Sequence, residues 1–515
     1  LPWSELNFLS TTDIHGFVNG QGGNMQGQYS ANFADFAVFV DNMKAKAAEK
    51  GVELFLIDCG DQHDGTVLSD NIKAPGQSVD AQLTLPAIRM ADYDVLSIGN
   101  HEMYTNDIID QVTNEVAPSW KGRYITLSLK FQIVACLASS DTATGKPVGA
   151  KVRQFVGTQG TKVTAFGFVF QTFNQAGSNI KLTNVTDEVK QSWFTDAVSQ
   201  PADLFILGGH IALRNQFGNT DKANSIEWDA AIKAIRAINP TTPIAVFGGH
   251  YHLRDFKNMG VNAYGISAGR YMETVAFMSM TKDGSKVDRR YLDANVPTYN
   301  FHLGRDENAP LANTTEKGNM MLKIIANAAA VTNSSLVVGK APQDYYLSRV
   351  GINDTNSLYK LVGDYMAPTW QKPAPANPLY AIMNSGGLRY DIFAGDVTLD
   401  AAFQATPFNN KLILVPDVPF SAIKNFARNM EEYEKTIAFH RRGDGSTCTA
   451  TLGYVTTDDL SATNPGDDTL HCAISNVKNP NYAVYSPRVL PCAPLDQKWD
   501  LIFVDYIEKD VKAVL

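Results

Sequence analysis

A chain of 515 residues exceeds what one hydrophobic core ordinarily serves, so two or three domains are expected. Apolar residues make up 44% and charged residues 19%, which excludes wholesale disorder and leaves enough material for a sizeable core. Lys and Arg total 44 against 53 Asp and Glu, a net charge of -9 that argues against a nucleic-acid polymer or an anionic membrane as the main partner.

In chain order the pattern alternates strand and helix. Leu6 to Leu9 reads as a short apolar strand, and Phe33 to Ala48 carries apolar residues at helical spacing until Gly51 stops it. Leu54 to Ile57 is a strand, Val79 to Ala91 a helix, and Val95 to Ile98 a strand again. Lys151 to Phe170 alternates as strands without a helix between them, so the sheet structure is mixed rather than purely parallel. Leu204 to Leu207, the helix Ser225 to Ala237 and the strand Ile244 to Phe247 resume the alternation, giving an α/β fold class. Val296 to Pro310 is polar and reads as irregular, and Thr315 to Val331 is strongly helical. The expected organisation is a first domain over 1–310, a connecting helix over 311–333 and a smaller α+β domain over 334–515. No run approaches the ~18 to 20 apolar residues of a transmembrane helix, so no transmembrane segment is expected.

Of five cysteines, Cys448, Cys472 and Cys492 fall in one C-terminal stretch that a disulfide would stabilise, while Cys59 lies in an apolar strand as a buried free thiol. With four Asn-x-Ser/Thr sequons, at Asn184, Asn313, Asn333 and Asn353, this pattern is compatible with a location outside the cytosol: secreted, cell-surface, periplasmic or vacuolar. Nothing in the pattern decides between monomer and dimer.

Five polar clusters follow strands, where an α/β sheet presents its ligand-binding ends. They are Asp13-Ile14-His15, Gly60 to Asp64, Gly99-Asn100-His101-Glu102, Gly208-Gly209-His210, and Gly248 to His252, and they contain six of the nine histidines. One histidine after a strand is ordinarily structural. Five such clusters in series form a set of carboxylate, amide and imidazole donors suited to Zn, Mn or Fe, and a central Asp is able to bridge two ions. The sequence G-x-S-x-G at Gly265 to Gly269 precedes another strand, Val275 to Met280, whereas a nucleophile elbow requires a helix there, so Ser267 is structural.

With its motifs in the order D-x-H, G-D, G-N-H-E, H and G-H-x-H, the chain resembles the binuclear metallophosphoesterases, and more closely their two-domain 5'-nucleotidase branch. The resemblance implies an αββα sandwich of mixed sheets holding two divalent metal ions. One ion would be held by Asp13, His15, Asp61 and His252, the other by Asp61, Asn100, His210 and His250. His101 matches the catalytic histidine, which stabilises charge on the phosphoryl group and helps the leaving oxygen depart after attack by a metal-bound hydroxide. The branch usually places an orienting Asp three residues after that histidine; here the position is Tyr104, and Asp107 is the nearest carboxylate that follows. His63 and Asp64, beside Asp61, are expected to support the ligands.

The second domain resembles the nucleotidase C-terminal domain through Asn384 to Arg389, Gly395 to Thr398 and Pro407-Phe408. The resemblance assigns Asn384 and Arg389 to base and phosphate, Phe408 to stacking on the base, and Asp467, in a departure from the usual G-G-D-G, to a ribose hydroxyl. A small-molecule nucleotide or other phosphoester is the implied partner, and nucleoside 5'-monophosphate hydrolysis the implied activity. The alternatives are hydrolysis of nucleotide diphosphates, dinucleotides or cyclic nucleotides on the same metals, and a metal-retaining binding protein with little turnover.

Overall fold

The computed structural model describes residues 1–21, 29–126, 129–131, 146–170, 180–214, 224–347, 350–351, 354–366, 377–408, 410–426, 428, 455–456, 483–486, 491–508 and 511. The chain forms two compact units. The first comprises Leu1–Asp64, Leu68–Thr332 and Leu452–His471, the second Gly65–Val67, Asn333–Thr451 and Cys472–Leu515.

The first unit is a sandwich of two mixed sheets. One has the order Val287–Asp293, Thr274–Met280, Leu6–Thr11, Glu53–Asp58, Val95–Ser97, Tyr124–Ile125. The other has the order Val455–Thr456, Leu253–Gly260, Ala263–Ala268, Ile244–Gly248, Leu204–His210, Lys162–Val169, Arg153–Val156. Inner faces of both sheets share one apolar layer that includes Phe8, Phe55, Ile57, Leu204, Ile206 and Phe247, all essentially inaccessible to water. Because these strands are covered on both faces, they read as continuous apolar runs, which is why they were visible in the sequence. Leu6–Thr11, Glu53–Asp58 and Val95–Ser97 run parallel, as do Leu204–His210 and Ile244–Gly248, so the segments bearing the polar clusters leave the sheets at carboxyl ends.

Helix Phe33–Lys50 begins on a capping box between Asn32 and Asp35 and ends at Gly51 in the left-handed region. Helix Glu316–Val331 is capped by Thr315, and Lys317 ties it to Asp41 of that earlier helix at 2.8 Å. Two expectations need correction. The helix read over Val79 to Ala91 is reduced to Leu85–Ile88, because Ala81 adopts a left-handed φ of 59° and the segment before Thr84 turns instead. The stretch read as irregular after Val296 opens with a helix, Val296–Leu303. Its Pro297 stands in the first turn, where no intrahelical donor is needed, between an Asn295 cap and a Gly304 stop.

The second unit has a four-stranded sheet ordered Leu412–Pro419, Lys498–Val504, Leu379–Asn384, Ala483–Ser486, and a pair formed by Val337–Ala341 and Gly395–Thr398. Tyr380, Ile382, Leu501, Phe503, Ile423 and Phe426 contribute to its own core. Among the described residues Cys59 and Cys492 are free thiols; Cys448 and Cys472 lie outside them. No helix of the described residues is long and apolar enough to cross a membrane.

Candidate metal centre

The loops after the strands interlock through their backbones. Asp13 N–H donates to the Gly60 carbonyl and His15 N–H to the Asp61 carbonyl, each at 2.9 Å, which lays the first cluster along the second. The approach is close enough to demand glycine: a Cβ on Gly60 would lie 2.3 Å from Gly99 N, and one on Gly99 would lie 2.1 Å from Asp61 Oδ1. Asp13, His15, Asp61, His250 and His252 all have left-handed φ, between 50° and 78°. Such conformations cost about 1–3 kcal/mol each and concentrate where surrounding structure enforces a functional geometry.

The side chains then converge. His252 Nε2 lies 3.2 Å from Asp13 Oδ1 and 3.1 Å from His15 Nε2, and Asp13, His15 and His252 form one group with metal-ligand spacing. Asp61, His210 and His250 form a second, with His210 Nε2 2.9 Å from Asp61 Oδ2. That same oxygen is 3.6 Å from His15 Nε2, so Asp61 faces both groups, as a shared ligand must. Asn100 is buried, and its Oδ1, like Asp13 Oδ1, accepts no hydrogen bond among the described residues. Buried acceptors left bare beside imidazole nitrogens are costly unless a cation completes them, and oxygen and nitrogen donors without thiolate suit a transition-metal dication. The residues therefore fit two metal ions.

The imidazoles are oriented for that role. His15 Nδ1 donates to the carbonyls of His63 and Asp64 at 2.9 and 2.6 Å, and His210 Nδ1 to the Cys59 carbonyl at 2.8 Å, which leaves Nε2 of each for a metal. Burial pushes the His210 pKa down, but the carboxylates of Asp61 and Asp13 outweigh it and raise the value to about 10. Burial likewise favours neutral Asp61, yet His210 and His101 hold its pKa well below the usual carboxylate range. His250 is the opposite case: burial, aided by the charge of His210, lowers it to about 3, which keeps a neutral imidazole ready to ligate.

Glu102 and His63, which lie inside the sequence clusters, and Phe170 and Tyr271, which the sequence did not single out, shape the site around the ligand groups. Glu102 accepts backbone N–H groups from Gly99, Asp61, Gln62 and His63 at 2.7, 2.8, 2.7 and 3.2 Å, and so pins the G-D loop to the G-N-H-E turn. His63 Nδ1 pairs with the same carboxylate at 2.8 Å. Phe170 stacks on His250 with ring centroids 4.0 Å apart, and Tyr271 sets its ring edge against His15 and His252. Tyr104 does not leave a gap where an orienting Asp is usual. Its hydroxyl accepts from Asn100 Nδ2 at 2.7 Å, which fixes the orientation of the amide. His101 finds its carboxylate elsewhere, at Asp64.

In the second unit Asn384 ends the strand Leu379–Asn384, with its Oδ1 buried and without a donor among the described residues. The Arg389 guanidinium lies over the Phe408 ring, 5.0 Å from its centroid. Asp467 lies outside the described residues.

Across the whole chain the architecture matches a crystal structure of 5'-nucleotidase from Candida albicans, with a TM-score of 0.86, 29% identity, and coverage of 100% of this chain and 93% of that one. A 5'-nucleotidase precursor from Thermus thermophilus shares the fold at 15% identity and a TM-score of 0.60, over 98% of this chain and 89% of that one. A protein of Arthroderma benhamiae named "Secreted protein" is 30% identical over 98% of this chain and 84% of its own length. An uncharacterized protein of Schizosaccharomyces pombe is 29% identical over 100% of this chain and 86% of its own. Residues 344–448 and 427–512 match the family model of the NAD nucleotidase C-terminal domain. Fold, converging ligand groups and the likeness to the Candida albicans structure agree: the chain belongs to the calcineurin-like metallophosphoesterase superfamily, in its 5'-nucleotidase branch, and is a metal-dependent phosphoester hydrolase with a binuclear metal centre.

Proposed function

We propose that the protein hydrolyses nucleoside 5'-monophosphates to nucleoside and inorganic phosphate. The full-length likeness to the Candida albicans 5'-nucleotidase carries this reading. Two divalent ions, zinc by preference and manganese or iron as alternatives, would supply Lewis acidity and a water of lowered pKa. Asp13, His15, Asp61 and His252 would hold one, and Asp61, Asn100, His210 and His250 the other. His101, with Nε2 3.8 Å from the shared Asp61 carboxylate, offers an imidazole to the phosphoryl oxygens and to the departing 5'-oxygen. Arg389 is suited to clamp a phosphate in the fork of its guanidinium, Phe408 to stack on a base, and Asn384 and Asp467 to take the remaining polar groups. The name of the Arthroderma relative and the four sequons support a place outside the cytosol.

A second reading is favoured by one observation, the match of the C-terminal region to a NAD nucleotidase domain. The same metal centre would then cleave a dinucleotide or nucleotide diphosphate. One experiment decides: the metal-loaded protein is given a panel of nucleoside monophosphates, dinucleotides and cyclic nucleotides, and products are separated by chromatography. Nucleoside plus phosphate from monophosphates supports the first reading. Two mononucleotides from a dinucleotide, with monophosphates untouched, supports the second, and turnover of neither class overturns both.

A further inference from the structure

We propose that Asn333 carries an N-linked glycan whose inner sugars cover the exposed apolar residues Leu336, Val337 and Val338. The inference goes beyond the hydrolytic reading and rests on the place outside the cytosol proposed above.

Asn333-Ser334-Ser335 is an Asn-x-Ser acceptor without proline, and in a chain with four such triplets the motif alone decides little. Its surroundings set it apart. Asn333 and Ser335 are exposed, and Asn333 has a left-handed φ of 53° directly after Thr332, which caps helix Glu316–Val331. Asparagine is one of the few residues with a side chain that suits this position. The backbone beyond it is fixed. Leu336 N–H donates to the Asn333 carbonyl at 2.9 Å, Asp400 N–H to the Ser334 carbonyl at 3.1 Å, and Leu399 N–H to the Leu336 carbonyl at 2.7 Å. This segment leads into three large apolar side chains in a row, Leu336, Val337 and Val338, which are 56%, 53% and 50% exposed. Asn184 and Asn313 are exposed as well, but no run of exposed large apolar residues follows either one among the described residues. Asn353 lies outside the described residues.

Consecutive strand residues point to opposite faces, so Val337 and Val338 leave both faces of the strand Val337–Ala341 half bare. Among the described residues the strand is paired along one edge alone, with Gly395–Thr398. A bare apolar edge strand is a template for pairing with another chain, and folds ordinarily blunt it with charge, proline or a cover. Lys340 supplies a charge at the far end. At the near end stands Asn333, no more than roughly 14 Å from Val337 even along a fully extended chain. A pyranose ring packs its C–H face on apolar side chains while its hydroxyls stay in water, and the bulk of the glycan keeps a second strand away.

The sugar arrives before the chain has folded, from a lipid-diphosphate-linked oligosaccharide. The bond from the anomeric carbon to the diphosphate oxygen breaks and a bond from that carbon to Asn333 Nδ2 forms. The amide nitrogen gives up one proton, and the lipid diphosphate leaves. The fold has only to keep Asn333 at the surface, as it does.

The test begins with the full chain purified from the organism that makes it. N-glycans are released enzymatically in oxygen-18 water, which turns each glycosylated Asn into a labelled Asp, and the peptides are mapped by mass. Label at Asn333 is expected. Label at Asn184 or Asn313 with none at Asn333 overturns the proposal, and label nowhere overturns it together with the location outside the cytosol. Metal content and phosphate release, measured on the same sample, judge the hydrolytic reading separately. Ser335→Ala then removes the acceptor triplet while keeping Asn333 as the helix stop. This variant should turn over substrate at the wild-type rate and self-associate, by sedimentation velocity, at a protein concentration at least about tenfold lower than wild type. Adding Val337→Thr and Val338→Thr, which keep the branched shape favoured in strands, should restore wild-type behaviour. Equal self-association with and without the sugar overturns the covering role. Folded wild type compared before and after enzymatic release gives that result even if Ser335→Ala fails to fold.

Discussion

Asn100 and Tyr104 are joined by a hydrogen bond of 2.7 Å in which the amide nitrogen donates to the phenol, while the buried amide oxygen accepts no hydrogen bond among the described residues. Rotation of the amide would present a donor to a cation. Tyr104→Phe removes the acceptor and keeps the ring against His101, so its effect isolates this bond. Partners of metal ligands are typically worth 10- to 100-fold in metal affinity, and a loss of about tenfold for one of the two ions is expected, read by titration of the metal-free protein. Tyr104→Asp, which restores the motif's usual residue, should weaken metal binding for the same reason and bring no gain in rate.

Glu102 should matter more to folding than to chemistry. Its carboxylate gathers four backbone N–H groups and His63, and His63 Nε2 in turn meets Gln111 Oε1 at 3.1 Å. Glu102→Ala would strand those buried donors, and removing one member of a buried charged pair costs about 3–5 kcal/mol. Urea unfolding of the metal-free protein should show a lower midpoint with an unchanged slope. A change below about 1 kcal/mol would mean that water replaces the carboxylate.

What the sequence revealed and what it hid divide along a physical line. Strands such as Leu204–His210 are buried on both faces and announce themselves as apolar runs, and each polar cluster follows such a run, so the fold and the places of the clusters were readable together. The partner of His101 was not. Asp64 is 37 positions earlier in the chain, and its reach depends on a left-handed turn at a residue with no requirement for glycine. Ala81 shows the same blindness, since an alanine at φ 59° inside a helical pattern leaves no mark in the sequence. The helix Val296–Leu303 was readable in principle, because Asn295, Pro297 and Gly304 are start and stop signals; their polarity resembled a loop.

Metal uptake should release protons. In the metal-free protein Asp61 and Asp13 raise the pKa of His210 to about 10, despite burial, so this ligand carries a proton at neutral pH that a metal must displace. Apparent affinity should therefore fall as pH is lowered from about 10 through neutrality. The sign for stability is the reverse. A pKa raised on folding from 6.5 contributes stability that is fully present below 6.5 and is lost as pH climbs toward 10. Melting temperatures of the chelated protein should thus decline across that window, while the loaded protein holds steady. Calorimetry in buffers of different ionisation enthalpy counts the released protons, and a count of zero at pH 7.5 would contradict the charge assignment.

The contact between Arg389 and Phe408 allows base recognition to be separated from phosphate recognition. The metals see only the phosphoryl group, so any preference for a nucleoside must come from other side chains. Stacking of a base on an aromatic ring is worth ~1 to 3 kcal/mol, so Phe408→Ala should lower kcat/KM for a nucleoside monophosphate about 5- to 150-fold. Truncation also removes the surface against which Arg389 rests, a cation–π contact of about 0.5–1 kcal/mol, so a small aryl phosphate should lose at most about 2- to 5-fold. Arg389→Ala should weaken both substrates if the guanidinium holds phosphate, and only the nucleotide if it reads the nucleoside. Equal losses on both substrates in Phe408→Ala would show that its ring serves Arg389 alone, and the preference for nucleotides would then have to be sought outside this pair.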